Sequence, residues 1–335
     1  MKKIKVGIIG CGEIATERHL PCWQKTDKGE VVAVVDIDEK KAKETAEKFG
    51  VPRYYTDYQE MLAKEEGLKI VDVCTPTKFH REHVVKACQK KKHVVVEKPM
   101  ATSVRECSQM IEAAKKNKVN LTVCHTMRIY PVVKKIKKQI DKKIIGKIKI
   151  IHISTPYSEL QPWVMAQGGA LWELGIHRIY LMLYWLDEID KVEAKTYTPQ
   201  DPQENMEVVV SSKKGMGIYH LFKARGQEEE EIRIYGDKGM IRVPSLVFNL
   251  SLLLTILDRS WKETLFRKTR DYLVNLYGLS KRAVEYLTQG IKITPHFIIF
   301  NQFIEVVTKK QKKVLVSPEE GKRAVEILKE IERQL

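Results

Sequence analysis

Two sets of residues in this 335-residue sequence combine types and spacings that can carry chemistry. The first is Gly10-Cys11-Gly12-Glu13-Ile14-Ala15, which follows the apolar run Val6–Ile9 and fits G-x-G-x-x-G/A. Gly10 permits a tight turn, Gly12 lets the backbone approach a pyrophosphate, and Ala15 allows a helix to pack closely on a strand. The helix that begins there offers unpaired N–H groups and a positive dipole end to phosphates. A second apolar run, Val31–Val35, ends at Asp36, 21 residues after Ala15. A carboxylate about 20 residues past the turn is placed to accept ribose hydroxyls. The second set is Lys98, Glu173 and His177. Oxidising a secondary alcohol removes a proton from oxygen while hydride leaves carbon. A histidine titrating near neutrality is a natural base for that proton, and an ammonium group can stabilise alkoxide character. Glu173 and His177 are four residues apart, so on a helix they share a face and the carboxylate can orient the ring.

The residues after Asp36 bear on the cofactor. Asp36-Ile37-Asp38 holds two negative charges and no Arg, Lys, Ser or Thr. A 2′-phosphate would be repelled there, so NAD is expected over NADP, although Lys40 and Lys41 could reach back.

Composition sets bounds on the class. The chain is 43% hydrophobic and 30% charged, as in soluble globular proteins, and is long enough for two domains. Met1–Lys5 leads directly into the first strand of the motif, so no signal peptide is expected, and no apolar run is long enough for a membrane helix. The six cysteines fall between Cys11 and Cys124 with no C-x-x-C and no metal-ligand spacing. They read as core residues of a reduced, cytoplasmic protein without a metal site. The net charge of +16 is an excess of six in residues 1–125 and ten in residues 126–335. Spread so evenly, it is not the patch that nucleic acid requires. The densest run, Lys134 to Lys147, lies opposite Val133, Ile136 and Ile140 and reads as a solvated helix face.

Strands alternate with helices through residue 125, which predicts a doubly wound parallel sheet of Rossmann type. From Ile148 the strands Lys147–Tyr157, Val192–Tyr197, Glu207–Ser212, Gly217–Lys223, Glu231–Tyr235, Met240–Val243 and Val247–Ile256 follow one another. They predict a large, open, mostly antiparallel sheet, interrupted by helices around Gly168–Trp185. The fold class is therefore α/β plus α+β. Residues 1–125 form a dinucleotide-binding domain and residues 126–335 an α+β substrate and oligomerisation domain, whose last helix, Ser317–Leu335, is free to pack back on the first. A sheet covered on one face only predicts a homodimer or tetramer. Residues 258–292 are basic and aromatic with helical periodicity, and read as a helical insertion rather than a membrane-surface helix.

The chain resembles the glucose–fructose oxidoreductase / inositol dehydrogenase / MocA family of NAD(P)-dependent sugar and polyol oxidoreductases. The resemblance rests on Gly10–Ala15, Cys74-Thr75-Pro76-Thr77-Lys78-Phe79-His80, Val96-Glu97-Lys98-Pro99, His125-Thr126-Met127-Arg128-Ile129-Tyr130-Pro131 and Gly168-Gly169-Ala170-Leu171-Trp172-Glu173-Leu174-Gly175-Ile176-His177. It implies that Lys98 is the catalytic lysine and that His177 exchanges a proton with the substrate hydroxyl. Glu173 stands where the family usually has Asp. Without the family, Lys98 reads equally as a surface lysine and His177 as a capped or core histidine. The expected cofactor contacts are Gly10, Gly12, Glu13, Ile14, Ala15, Asp36, Thr75, Pro76, His80, Glu97 and Lys98, with capping of the next helix as the other reading of His80. Arg128, Tyr157 and Trp163 are expected to meet a sugar or polyol, or else to form a salt bridge (Arg128) or pack in the core (Tyr157, Trp163). The implied activity is an NAD-dependent dehydrogenase acting on a CH–OH group of a sugar, polyol or nucleotide-sugar. An NAD-using glycosidase and a non-catalytic dinucleotide sensor are the alternatives on the same fold.

Overall fold

The computed structural model describes residues 3–224, 230–243, 253–256 and 294–335. The expected insertion at 258–292 lies outside these residues, as does Val247–Leu252 of the last expected strand. The chain divides into two units, Met1–Thr126 with Ile293–Glu326 and Met127–Lys292 with Ile327–Leu335.

In the first unit, β1 (Ile4–Ile9), β2 (Gly29–Val35), β3 (Arg53–Tyr55), β4 (Leu68–Val73), β5 (His93–Val96) and β6 (Leu121–Val123) form one sheet in the order β3-β2-β1-β4-β5-β6. All its pairings are parallel. Val6, Ile8, Val34, Ile70, Val71, Val73 and Val94–Val96 are fully buried, as central strands with both faces covered must be. The crossover helices include α1 (Leu20–Lys25), α2 (Glu39–Phe49), α3 (Tyr58–Lys64), α4 (His80–Gln89) and α5 (Val104–Asn117). Asp38 caps α2 by accepting the Lys41 N–H, and Ser103 caps α5 by accepting the Glu106 N–H. Strand order reverses between β1 and β4, which marks the carboxyl edge of those strands as the ligand crevice.

The sequence reading missed β3, because Gly50 and Pro52 mask a three-residue edge strand. It also placed 293–326 in the second domain, with only the last helix free to return. That whole stretch groups with the first unit. Its helix, Pro295–Val307 (α9 here), stacks Phe300 on Trp23 at 4.4 Å between ring centroids. Thr122 Oγ1 then donates to the Val316 carbonyl at 2.8 Å. The last helix, Pro318–Gln334 (α10), is divided between the units at Glu326.

In the second unit, α6 (Pro131–Asp141) buries Val132, Val133, Ile136 and Ile140 and exposes Lys134, Lys135 and Lys138. The sheet follows as β7 (Ile148–Tyr157), β8 (Lys191–Thr196), β9 (Asn205–Ser212), β10 (Gly215–Lys223), β11 (Glu231–Gly236), β12 (Gly239–Val243) and β13 (Leu253–Ile256), in the order β13-β12-β11-β7-β10-β9-β8. Its central pair, β10 with β7, is parallel, and the other pairs are antiparallel. Two helices, α7 (Pro162–Met165) and α8 (Ile176–Leu186), and the β8–β9 hairpin separate β7 from β10, so the chain re-enters in the same direction. Ile151, Ile153, Val208, Val210, Tyr219, Leu221, Ile232 and Ile234 on one face are fully buried. The other face, with Ile150, His152, Ser154, Ile218, His220 and Phe222, is only partly covered. Among the described residues, no helix is long and apolar enough to cross a membrane.

One buried ion pair fastens α8 within its unit. Arg178 Nε donates to Glu230 Oε1 at 2.5 Å, and Thr155 Oγ1 donates to the same oxygen at 3.1 Å. The two charged side chains are 8% and 5% exposed. Glu230→Leu alone should strand the guanidinium and cost about 3–5 kcal/mol, while Arg178→Met with Glu230→Leu should cost less than that single change. Urea unfolding of both proteins checks this, and equal losses would speak against the pair.

Candidate active site

The glycine turn follows β1. Gly10 has φ +97°, and a Cβ there would sit 2.8 Å from the Cys74 carbonyl oxygen, so no other residue fits. A Cβ on Gly12 would meet nothing within 4 Å. The two glycines therefore answer different demands: Gly10 serves the protein's own backbone, and Gly12 leaves space open at the turn. Ala15 is fully buried, while Glu13 is exposed and Ile14 half-buried. Asp36, at the end of β2, is pinned beside this turn. Its Oδ2 accepts the Cys11 N–H at 2.9 Å and its Oδ1 accepts the Asp38 N–H at 3.0 Å. Lys41 lies 4.0 Å from Asp38, and Lys40 lies 3.9 Å from Glu44. These residues fit a dinucleotide: an open backbone turn for the pyrophosphate and a fixed carboxylate for a ribose.

Lys98 follows β5 at the same carboxyl edge, and its turn is gripped from two sides. Glu97 is buried, and its Oε2 accepts the Lys98 N–H at 3.0 Å. On the other side His80, also buried, places Nδ1 3.0 Å from the Pro99 carbonyl oxygen and Nε2 2.8 Å from that of Thr75. His80 thus ties the Thr75 and Pro99 loops together, whereas the sequence suggested a groove-lining or capping residue. Burial lowers its pKa, against the two carbonyls that favour the charged ring. Thr75 Oγ1 lies 3.1 Å from His83 Nδ1, and Pro76 is exposed.

Behind Glu97 lies a cluster that the sequence reading did not find. His19 is fully buried, with Nδ1 2.8 Å from Asp72 Oδ2 and Nε2 2.9 Å from Glu97 Oε1. Trp23 Nε1 donates to Asp72 Oδ2 at 2.7 Å, and His296 Nε2 stands 3.4 Å from Glu97 Oε1. Burial opposes charge on His19, but Asp72 and Cys74 outweigh it and hold the ring well above its ordinary 6.5. Burial likewise opposes ionisation of Glu97, but hydrogen bonds from His19 and His296 keep it well below 4.5. The ligand atoms of His19, Glu97 and His296 lie within 4.8 Å of one another, as a metal set would. The His19 contacts have hydrogen-bond lengths. The one available signal was Asp72 itself, a carboxylate inside the apolar strand Leu68–Val73, which needs a buried partner.

In the second unit, Gly168 and Gly169 both have positive φ, at +104° and +70°. Gln203 clasps this turn: its Nε2 donates to the Gly168 carbonyl and its Oε1 accepts the Leu171 N–H, each at 2.8 Å. Leu171–Gly175 is a π-helical stretch that runs into α8, so Glu173 and His177 sit on one continuous helix, both half-buried. Such stretches are frequent at functional sites. Tyr157 is buried, donates to the Gln203 carbonyl at 3.0 Å and has its hydroxyl pushed up to about 12, chiefly by burial. It supports the clasp. Arg128 donates to Tyr180 at 3.0 Å and lies over the Tyr184 ring at 4.5 Å, so α8 engages it. Trp163, on the four-residue α7, is 53% exposed.

The unlike surroundings of the two glycines separate folding from binding. Gly12→Ala should change stability by less than about 0.5 kcal/mol yet weaken NAD binding, whereas Gly10→Ala should destabilise the fold itself. Thermal unfolding beside NAD titration checks both; equal stability losses would contradict the difference in space.

Residues 4–125 match the model of an oxidoreductase family with an NAD-binding Rossmann fold, and residues 133–242 match the GFO/IDH/MocA C-terminal domain. Myo-inositol 2-dehydrogenase of Thermotoga maritima is 28% identical over 250 residues, 71% of this chain and 74% of that protein. Inositol 2-dehydrogenase/D-chiro-inositol 3-dehydrogenase of Lactiplantibacillus plantarum is 29% identical over 259 residues, 72% of each chain. In fold, the chain is similar to the WlbA dehydrogenase of Bordetella pertussis, solved with NADH and UDP-GlcNAcA. The TM-score is 0.83 at 20% identity, over 99% of this chain and 95% of that one. With the glycine turn, the pinned Asp36 and both matched domains in place, the chain belongs to the GFO/IDH/MocA family of NAD-binding oxidoreductases.

Proposed function

We propose that the protein is a dehydrogenase that moves hydride between NAD(H) and a secondary alcohol of a sugar, polyol or nucleotide-sugar. The observation that carries this reading is the Glu97-Lys98-Pro99 turn, held by buried groups on both sides at the carboxyl edge of the dinucleotide sheet. The inositol dehydrogenases and the nucleotide-sugar complex of WlbA support the substrate class by similarity. Gly10, Gly12 and Ala15 shape the turn that would take the pyrophosphate, and Asp36 would take a ribose. When bound, the nicotinamide supplies the hydride acceptor. In this reading Lys98 polarises the hydroxyl oxygen, His177 takes its proton, and Glu173 on the same helix orients the imidazole. Trp163 is available to a sugar ring. With Asp36 and Asp38 both acidic and Lys40 and Lys41 drawn to neighbouring carboxylates, NAD is preferred over NADP.

His177→Ala should lower turnover by roughly 10²–10⁴-fold, the usual effect of removing a positioned acid–base group. Lys98→Ala should match it, with NAD affinity nearly unchanged in both. Steady-state kinetics on a panel of polyols and nucleotide-sugars, with NAD and NADP, tests this. Parent-rate turnover by the double alanine variant would refute it, and a lack of net NADH release would favour the glycosidase or sensor readings.

We also infer self-association through the partly covered face of the second unit's sheet. Ile150, Ile218 and Phe222 lie on that face, and a second copy would remove them from water. A dimeric or tetrameric mass at micromolar concentration is the expected result. A monomer would count against it.

A further inference from the structure

We propose that His19 is a positioning residue for Lys98: as a buried imidazolium between Asp72 and Glu97, it fixes the carboxylate that holds the Lys98 amide. This rests on the reading of Lys98 given above. His19 lies at the end of the π-helical stretch Ala15–His19 that follows the glycine turn. Its two ring nitrogens face carboxylate oxygens at 2.8 and 2.9 Å. A neutral imidazole has one N–H and could satisfy only one of them, so the arrangement calls for the doubly protonated ring. Glu97 then has both oxygens committed: Oε1 to His19, with His296 at 3.4 Å, and Oε2 to the Lys98 N–H at 3.0 Å. A carboxylate held at both oxygens cannot rotate without breaking a charge-assisted bond.

The neighbours make the charge stable. Asp72 and Cys74 close the β4 side, Glu97 and Cys124 lie beyond the ends of β5 and β6, and His296 approaches from α9. The rings of Phe300 and His296 pack on His19 at 5.1 and 4.9 Å. The array joins the helix of the glycine turn to the Lys98 turn, so the same group that seats the dinucleotide-binding helix seats the lysine.

Imidazole ¹⁵N spectra of the parent protein test the charge without any variant. One histidine should keep both nitrogens protonated well above pH 6.5, the ordinary value for the group. Its signals should vanish in His19→Gln and lose the cationic signature in Glu97→Gln, whose amide would face the ring with a donor. A His19 that titrates near 6.5 overturns the proposal. The second arm reads Lys98 directly, as the ¹³C resonance of its dimethylated amine assigned with Lys98→Arg. In His19→Gln that resonance should move; an unchanged resonance overturns the proposal. The third arm is kinetic. His19→Gln should lower kcat by about tenfold or more and shift the pH profile, with KM for NAD altered far less. A parallel loss of kcat and NAD affinity with an unshifted pH profile would mean a structural role only and would also overturn it. Should the parent oxidise no alcohol while the lysine resonance still responds, the functional reading fails and the positioning role stands.

Discussion

The first unit depends on one buried charge cluster, the imidazole of His19 between the carboxylates of Asp72 and Glu97. Moving ions out of water costs several kcal/mol each even after relaxation, and their attraction returns that only when hydrogen bonds are satisfied. Here they are met by Trp23 on Asp72 and by the Lys98 amide on Glu97. The consequence is geometric. Four segments distant in sequence, the helix after the glycine turn, the ends of β4 and β5, and α9, must meet at one point. Displacing any of them would leave a charge unpaired in the core, so the turn that carries Lys98 inherits their rigidity.

The second unit uses a comparable device. Arg178 follows His177 directly and is buried against Glu230, which holds α8 to the sheet from the side away from solvent. Gln203 closes the Gly168-Gly169 turn that begins the same helix, and Tyr157 holds Gln203 in place. In both units a residue proposed to react stands next to one committed to the core. Precision in a site comes from such supports, since a side chain on a loose helix or turn would sample geometries in which no proton or charge transfer is possible.

The cofactor edge shows how little local sequence distinguishes two roles. Gly10 and Gly12 are two positions apart in one motif, yet one is demanded by a carbonyl against which any Cβ would clash and the other by room left at the turn. Asp36 is held by two backbone N–H groups beside that turn. A carboxylate fixed in this way loses little further entropy when a ribose arrives.

The sequence by itself determined the parallel first sheet apart from its edge strand β3, the glycine turn with its carboxylate and the succession of strands in the second unit, while the choice of Lys98, Glu173 and His177 as reactive candidates drew on the family resemblance. The elements and the glycine turn follow from rules that act over a few residues: alternation, helix period, capping and turn chemistry. The tertiary structure alone decided the partners of the buried polar groups. His19, Asp72, Glu97 and His296 are separated by tens to hundreds of residues, and each looks ordinary in its own segment. It also decided that β7 and β10 run parallel, that residues 293–326 group with the first unit, and that Tyr157 and His80 serve the scaffold. The reason is physical. A short stretch of chain specifies its own dihedrals and which of its faces is apolar, but a buried donor or charge is specified only by whatever the fold brings opposite to it.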